Sequence, residues 1–258
     1  MKSRIYYART YRHLSFDATG SLIFLMGFVL PMTILIFLFY DEMALLMCRI
    51  VMWFLEKTGI EDLGLKAGEF IPWLGPAWYV RTKAELPEQT LVVKNIAVCL
   101  AAVFILSRNP MRGKPLSIYI LINLVIHMMS CVFFLLGSDV FPYTSDDYAE
   151  LYVAQEIGIW ITFLILSGCV EGTLGRGKVI FRILAVLTIM AYSFVFGTVR
   201  YALFLWLIGR YSLLYMPVMF FTLGPFFDFL YFVMIYSLSA GRMMKKNDGV
   251  GRNRWEWA

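Results

Sequence analysis

The sequence predicts an all-α membrane protein, and three observations indicate this class. Of its 258 residues 60% are hydrophobic and only 16% are charged, whereas soluble domains carry about 25% charged residues. Apolar stretches of about 20 residues, the length that crosses a bilayer, recur along the chain. Lys and Arg lie at the ends of these stretches, so the basic pI of about 9.0 indicates membrane insertion rather than nucleic-acid binding. We therefore expect one integral membrane domain over residues 1–258, a polytopic transmembrane helix bundle surrounded by lipid.

Six apolar stretches reach the length of a spanning helix. They lie at about 19–40, 91–107, 116–137, 152–171, 180–206 and 213–239. The last one is interrupted by Pro217 and by the pair Gly224-Pro225. A further apolar stretch, at 43–55, is too short to span and contains Arg49. We expect an additional interfacial or re-entrant helix there.

The distribution of Lys and Arg predicts which side of the membrane each connecting segment faces. Basic residues collect in the N-terminal arm, the 108–115 and 172–182 loops and the C-terminal tail, whereas the 138–151 loop contains acids and no Lys or Arg. Because loops rich in Lys and Arg stay in the cytoplasm, we expect a protein of the cytoplasmic membrane with both termini cytoplasmic. The 41–90 segment, the 138–151 loop and the 207–212 turn should face outward.

The outer segment 41–90 contains an aromatic and proline-rich stretch from Phe70 to Tyr79. Trp and Tyr prefer the headgroup zone of a bilayer. We expect this stretch to fold back along the outer surface, either as an aromatic anchor or as part of a ligand site.

Arg200 is the principal candidate site residue. It lies in the apolar run from Phe194 to Trp206, with no acid within ten residues on either side. A cation in lipid costs several kcal/mol, so such a residue faces a protein interior, water or the interface. The predicted topology places it roughly 9 Å below the outer end of the fifth span. Glu156 lies at a similar depth in the fourth span, and we expect an Arg200–Glu156 ion pair that is either structural or part of an anion-binding site.

Other polar residues also fall inside the predicted spans. Asp228 lies about 15 residues into the sixth span, roughly 22 Å along a straight helix and so near or below the midplane. Asn123, His127 and Ser130 form an i, i+4, i+7 stripe in the third span, which we expect to face other helices as hydrogen-bonding contacts or as a proton path.

The cysteine pattern predicts no metal site, no cofactor and no disulfide framework. The four cysteines are widely separated, and they form neither a CxxC motif nor a cluster with histidine. They are Cys48, Cys99, Cys131 and Cys169.

The segment Gly197-Thr-Val-Arg200-Tyr resembles the arginine motif of the exosortase/archaeosortase family, and the stretch from Tyr215 to Gly224 resembles the segment that carries a later basic residue. The resemblance covers about residues 150–240. It implies a multi-pass membrane protein that processes the C-terminal sorting signals of surface proteins. The family's site combines a cysteine nucleophile with this arginine and a later His or Arg.

The chain departs from that pattern at two of the three positions. Family spacing places the nucleophile near Glu156, where no cysteine stands, and the later basic residue near Phe220, where there is no His or Arg. By the predicted topology Cys169 lies at the cytoplasmic end of the fourth span. Most of a bilayer core of about 30 Å then separates it from Arg200, whereas a thiolate and its activating group must lie within a few Å of one substrate carbonyl.

We therefore expect an exosortase-like protein that is not a peptidase. Some exosortase-type proteins belong to surface-polysaccharide systems, so the resemblance implies an accessory or scaffold subunit. Its partner would be another membrane protein, a glycosyltransferase or synthase, in exopolysaccharide or surface-protein assembly. Two alternatives stay open: an active cysteine peptidase or transpeptidase that uses Cys169, and a small transporter that uses Glu156, Arg200 and Asp228.

Overall fold

The protein is mainly helical in a computed structural model, which describes residues 18–71, 75–108, 114–174 and 179–247. Within these ranges six helices are long and apolar enough to cross a membrane. This confirms the predicted polytopic helical class. The basic arm at 1–17 and the end of the tail lie outside the described residues, so the predicted orientation of the termini stays a prediction.

The helices and strands follow one another in a simple order. They are α1 (Ala18–Phe24), a π-helical turn (Leu25–Val29), α2 (Leu30–Lys57), β1 (Gly64–Ile71), β2 (Gly75–Arg81), α3 (Gln89–Arg108), α4 (Pro115–Gly137), a 3₁₀ turn (Ser138–Val140), α5 (Ser145–Leu174), α6 (Val179–Arg210), a second 3₁₀ turn (Leu213–Tyr215), α7 (Met216–Thr222) and α8 (Pro225–Asn247).

Helix α5 begins seven residues before the predicted start of the fourth span, and a capping box is the reason. The backbone N–H of Thr144 donates to Asp147 Oδ2 (2.7 Å), and the N–H of Asp147 donates back to Thr144 Oγ1 (3.2 Å). This exchange satisfies N–H groups that have no partner inside the helix. Hydropathy did not detect this polar first turn, which contains Asp146 and Asp147.

The chain divides into two compact units, and the first comprises residues 1–38, 160–193 and 229–258. Its described part has an apolar core in which Phe24, Val29 and Leu164 are buried. A Cβ placed on Gly168 would lie only 2.7 Å from Val29 Cγ1. The glycine therefore lets its helix approach the N-terminal helix closely, as small residues do between membrane helices.

The second unit comprises residues 39–159 and 194–228, and it contains the apolar stretch 43–55. This stretch is helical as expected. The backbone of α2 leaves helical geometry at Phe39 (φ −121°, ψ 15°), so α2 consists of two helices joined at a kink, and the stretch 43–55 lies in the second of them. Its interfacial or re-entrant position stays a prediction. Side chains three or four residues apart are completely buried after that kink, namely Ala44, Met47, Cys48, Val51 and Leu55. Such a stripe packs against protein. This packing explains why the stretch is apolar although it is too short to span a membrane.

An antiparallel hairpin of β1 and β2 occupies most of the remaining outer segment. These strands were not predicted, because Gly and Pro interrupt the alternation of apolar and polar residues that identifies a strand. Tertiary contacts hold the hairpin: Tyr40 Oη donates to the carbonyl of Gly75 (2.5 Å), and Cys48 Sγ donates to that of Trp78 (3.1 Å). Gly75 adopts φ +146°, which side-chain-bearing residues avoid.

The three segments predicted to share the outer side lie together in the second unit. Lys66 of β1 forms an ion pair with Asp146 at the start of α5, with Nζ and Oδ2 2.5 Å apart. The N–H of Leu213, directly after the turn that follows α6, donates to the carbonyl of Glu85 after β2 (3.1 Å). These contacts agree with the expectation that the three segments face the same side.

Tyr201 of α6 connects the hairpin to the helices, and its hydroxyl accepts a hydrogen bond from the Val80 N–H (3.0 Å) in a fully buried position. We expect Tyr201→Phe to lower the free energy of unfolding by about 1 kcal/mol, because a buried N–H loses its acceptor. The midpoint of chemical unfolding in detergent measures this loss. Tyr211→Phe, at a side chain that is 53% exposed, should leave the midpoint unchanged. Equal shifts in the two variants would contradict the role given to the Tyr201 hydroxyl.

Candidate functional site

Arg200 lies inside the second unit with only 3% of its surface exposed. It is ten residues before Arg210, the last residue of α6. The helix is apolar along this stretch and the arginine side chain turns into the protein. A buried guanidinium is tolerated only with hydrogen-bond acceptors and opposite charge around it, and both are present.

The guanidinium donates through all three of its nitrogens to side chains. Nε donates to Tyr152 Oη (2.6 Å), Nη1 to Asp228 Oδ2 (2.8 Å) and Nη2 to Glu156 Oε1. Glu156 and Asp228 are each 1% exposed. We call these four residues, Tyr152, Glu156, Arg200 and Asp228, the arginine cluster. The structure thus pairs Arg200 with Glu156, as depth had predicted.

Asp228 lies against Arg200, a contact that was not predicted, and its expected depth near or below the midplane stays a prediction. That expectation assumed one straight helix over 213–239 and a fifth span that ends at Trp206. In the structure α6 continues to Arg210, and the last span breaks between α7 and α8. Because the break interrupts the helical rise, residue count along the chain does not give the depth of Asp228.

Arg200 also contacts the backbone at the break between α7 and α8. Its Nη1 donates to the carbonyl of Leu223 (2.6 Å) and makes a longer contact with that of Gly224 (3.3 Å). The last carbonyls of a helix have no partner within it, and each unsatisfied group costs several kcal/mol in hydrocarbon. Arg200 therefore caps α7 and makes an interrupted helix tolerable inside the bundle.

Aromatic rings surround the cluster. The ring of Tyr152 stacks on that of Tyr201, with centroids 4.7 Å apart and planes 4° apart. The Arg200 Cζ lies 5.4 Å from the centroid of Phe196, within range of a cation–π contact. Since these rings exclude water, the charges interact at a lower effective dielectric than at a surface.

Gly197 belongs to the site but was not among the predicted site residues. A Cβ on Gly197 would lie 2.8 Å from Glu156 Cδ, so the missing side chain makes room for the carboxylate. Its carbonyl also accepts a hydrogen bond from Tyr152 Oη (2.9 Å). The available signal was a glycine in the middle of an apolar helix, three residues before a buried arginine, where small residues often mark close contacts.

The polar stripe of α4 forms contacts between helices, as expected. His127 Nε2 lies 3.1 Å from Asn95 Oδ1 on α3, and Tyr215 Oη donates to the same oxygen (3.1 Å). Asn123 Oδ1 accepts from Thr222 Oγ1 of α7 (2.5 Å). These bonds tie α4 to α3 and α7 and favour the interhelical interpretation of the stripe.

Ser130, the third member of the stripe, bonds to its own helix by donating to the carbonyl of Ile126 (3.2 Å). Asn95 of α3, which was not among the predicted site residues, completes the network. A single amide in an apolar helix was the available signal.

Cys169 belongs to the first unit and is exposed, whereas Cys48, Cys99 and Cys131 are buried. In the second unit, the groups that contact the guanidinium of Arg200 are carboxylates, a phenol, an aromatic ring and backbone carbonyls. Among the described residues no group of three His, Cys, Asp or Glu side chains has the arrangement of a metal site.

No family model, curated protein or solved structure matches the chain. The likeness to exosortases therefore depends on the segments 197–201 and 215–224 and stays a prediction.

The exposed thiol of Cys169 gives a direct test of the predicted orientation. We expect a membrane-impermeant maleimide to label this cysteine in inside-out vesicles and not in intact cells, because the basic loop after α5 should be cytoplasmic. The three buried cysteines should stay unlabelled, so the natural chain can be used. Cys169→Ser is the control that must abolish labelling. Labelling in intact cells would reverse the orientation and favour the peptidase hypothesis.

Proposed function

We propose that this chain is a non-catalytic membrane subunit that serves as a scaffold in the assembly of cell-surface polymers or proteins. The observation that carries this is the engagement of Arg200, whose three guanidinium nitrogens all donate to protein acceptors. An arginine that stabilises a developing oxyanion must aim a donor at the reacting atom. Arg200 instead binds two carboxylates and caps a broken helix, which are structural tasks.

The partner class follows from the likeness to exosortases and from the membrane environment of the chain. We propose another integral membrane protein, a glycosyltransferase or synthase, in the cytoplasmic membrane, with both termini of this chain in the cytoplasm. The hairpin, the start of α5 and the turn after α6 are joined by the Lys66–Asp146 ion pair and the Glu85–Leu213 hydrogen bond. We propose that these joined segments contact an extracytoplasmic part of the partner.

The test is affinity purification of the tagged chain from its native membranes in a mild detergent. We expect a glycosyltransferase or synthase to be recovered in fixed ratio, and the recovery to be unchanged in Cys169→Ser. An unrelated multi-pass protein with the same tag controls for adventitious capture. Recovery of the chain as an isolated monomer would contradict the proposal. Loss of a processed surface product in Cys169→Ser would favour the peptidase instead.

A second candidate, an ion-coupled transporter, is favoured by one observation. The arginine cluster lies at the interruption between α7 and α8, and many transporters place their substrate sites at discontinuous helices. In this case Asp228→Asn should abolish uptake into reconstituted vesicles while the protein still elutes as a folded species. Uptake that persists in Asp228→Asn, or that is absent in the unsubstituted protein, excludes this candidate for the substrate tested.

A further inference from the structure

Two side chains of opposite charge lie in the first unit, near the end of α5 and the start of α6. Glu171 is three residues before the end of α5, and Arg182 is three residues after the start of α6. Both helices are long and apolar enough to cross a membrane. Residues this close to the end of a spanning helix lie near the level of the lipid headgroups.

Both side chains belong to the packed faces of their helices. Leu164 of α5 and Val186 of α6 are buried in the apolar core of the first unit. Glu171 follows Leu164 by seven residues and Arg182 precedes Val186 by four, and these spacings repeat one face of a helix. Glu171 is accordingly only 2% exposed, and Arg182 lies close enough to interact electrostatically with its carboxylate.

Neither of these charged groups is satisfied by the protein around it. Glu171 Oε2 and Arg182 Nε are buried, and within the described ranges neither atom has a hydrogen-bond partner. In the same ranges neither side chain forms an ion pair. A buried charged group is costly unless it is paired and hydrogen-bonded. The two side chains therefore indicate a site for a ligand that donates to Glu171 and accepts from Arg182.

Apolar side chains of the N-terminal helix lie beside this site. A Cβ on Gly172 would lie 3.3 Å from Leu25 Cδ2 and 3.3 Å from Phe24 Cδ1, so the N-terminal helix packs closely against α5 at the level of Glu171. These hydrocarbon groups offer no hydrogen bond to a charged ligand. A charged pair next to an apolar wall near the headgroup level suits an amphiphilic ligand better than a free ion.

We propose that Glu171 and Arg182 bind the zwitterionic headgroup of a phosphoethanolamine lipid. The guanidinium of Arg182 would donate to the phosphate, and the carboxylate of Glu171 would accept from the ammonium, both through charge-assisted hydrogen bonds. Basic pockets between membrane helices bind anionic headgroups, but Glu171 would repel a headgroup that carries only negative charge. A headgroup with both charges satisfies both residues. The site lies apart from the arginine cluster and does not depend on the scaffold role.

Native mass spectrometry of the purified full chain tests the headgroup assignment. The probes are dioleoyl phosphatidylethanolamine, phosphatidylcholine and phosphatidylglycerol, each added alone in detergent. We expect phosphatidylethanolamine to be retained about tenfold more strongly than phosphatidylcholine, because a methylated ammonium cannot donate the hydrogen bond to Glu171. Phosphatidylglycerol, which has no cation, should be retained weakly. Equal retention of the three lipids by the unsubstituted chain would overturn the proposal, whether or not any variant folds.

Substitutions distinguish the two contacts. Glu171→Gln keeps the shape of the side chain but removes its charge, so it should abolish the preference for phosphatidylethanolamine over phosphatidylcholine. Arg182→Gln should weaken the retention of all three lipids, since each contains a phosphate. Glu56→Gln and Arg210→Gln, at exposed side chains of the second unit, are the matched controls and should bind lipid as the unsubstituted chain does. A preference that survives Glu171→Gln in a folded protein would contradict the proposal.

Soluble O-phosphoethanolamine separates the lipid from a free ligand with the same charged groups. We expect it to displace phosphatidylethanolamine only at a large excess, because it lacks the acyl chains that hold the lipid beside the helices. Saturable binding of O-phosphoethanolamine without retention of phosphatidylethanolamine would overturn the assignment to a lipid. If Glu171 and Arg182 paired only with each other, no probe would distinguish the unsubstituted chain from Glu171→Gln, and that result would also overturn the proposal.

Discussion

Replacing Arg200 with methionine is expected to remove most of the folded protein from the membrane. Breaking a buried ion pair by deleting one partner costs about 3–5 kcal/mol, and here one side chain serves both Glu156 and Asp228. The carbonyl of Leu223 would also lose its donor at the end of α7. Net stabilities of about 5–15 kcal/mol leave little margin for such a loss. The fraction of protein that elutes as a single species in detergent measures the effect.

Two control variants make this prediction specific to the cluster. Arg210→Gln removes a cation from the exposed end of the same helix, and a surface change of this kind stays within about 0.5 kcal/mol. Arg200→Lys retains the charge but cannot donate in a planar fork to several acceptors at once, so we expect partial recovery. Normal yield and unfolding midpoint for Arg200→Met would contradict the structural role of Arg200.

Replacing Gly197 with alanine is expected to have the second-largest effect. The added methyl group would meet the carboxylate of Glu156, which cannot swing away without leaving Arg200. Overpacking alone costs about 1–3 kcal/mol, and displacement of Glu156 weakens a buried ion pair. We therefore expect the free energy of unfolding to fall by about 2 kcal/mol or more, measured as a shift in the chemical unfolding midpoint.

Gly158→Ala is the matched control for this substitution. Gly158 lies in α5, two residues after Glu156, and a Cβ there would meet no atom within 4 Å. Alanine is favoured over glycine in a helix by about 0.5–1 kcal/mol, so this variant should be neutral or stabilised. Gly197→Ala combined with Glu156→Gln tests the mechanism, because an uncharged side chain can move aside at lower cost. Equal destabilisation in Gly197→Ala with and without Glu156→Gln would contradict the proposed clash.

The membrane class and the approximate spans were predictable because they depend on properties of the sequence alone. Hydropathy over about 20 residues identifies a spanning helix whatever its neighbours are. The pairing of Glu156 with Arg200 was also predictable, since both depths could be counted along unbroken helices from the same side. Even the early start of α5 has a local signal, the Thr144–Asp147 capping box, although hydropathy does not register it.

The contacts of Asp228 and the hairpin were not predictable in this way. Asp228 reaches Arg200 because the last span is interrupted, and the position of a residue beyond a helix break depends on how the two pieces pack. The strands of the hairpin form where Tyr40, Cys48 and Tyr201 supply side-chain partners to their backbone. Tyr40 and Cys48 lie 35 and 30 residues before their partners, and Tyr201 lies 121 residues after Val80, so local sequence contains no trace of their proximity.

The sequence by itself therefore determined that this chain is a helical membrane protein with a costly arginine that needs an acid. Local apolarity and charge are sufficient for that conclusion, because each residue is transferred to lipid or water largely independently of its tertiary neighbours. Only the tertiary structure decided that Arg200 serves two acids and the end of a broken helix at once. Such sharing depends on three helices converging on one guanidinium, and convergence is a property of packing.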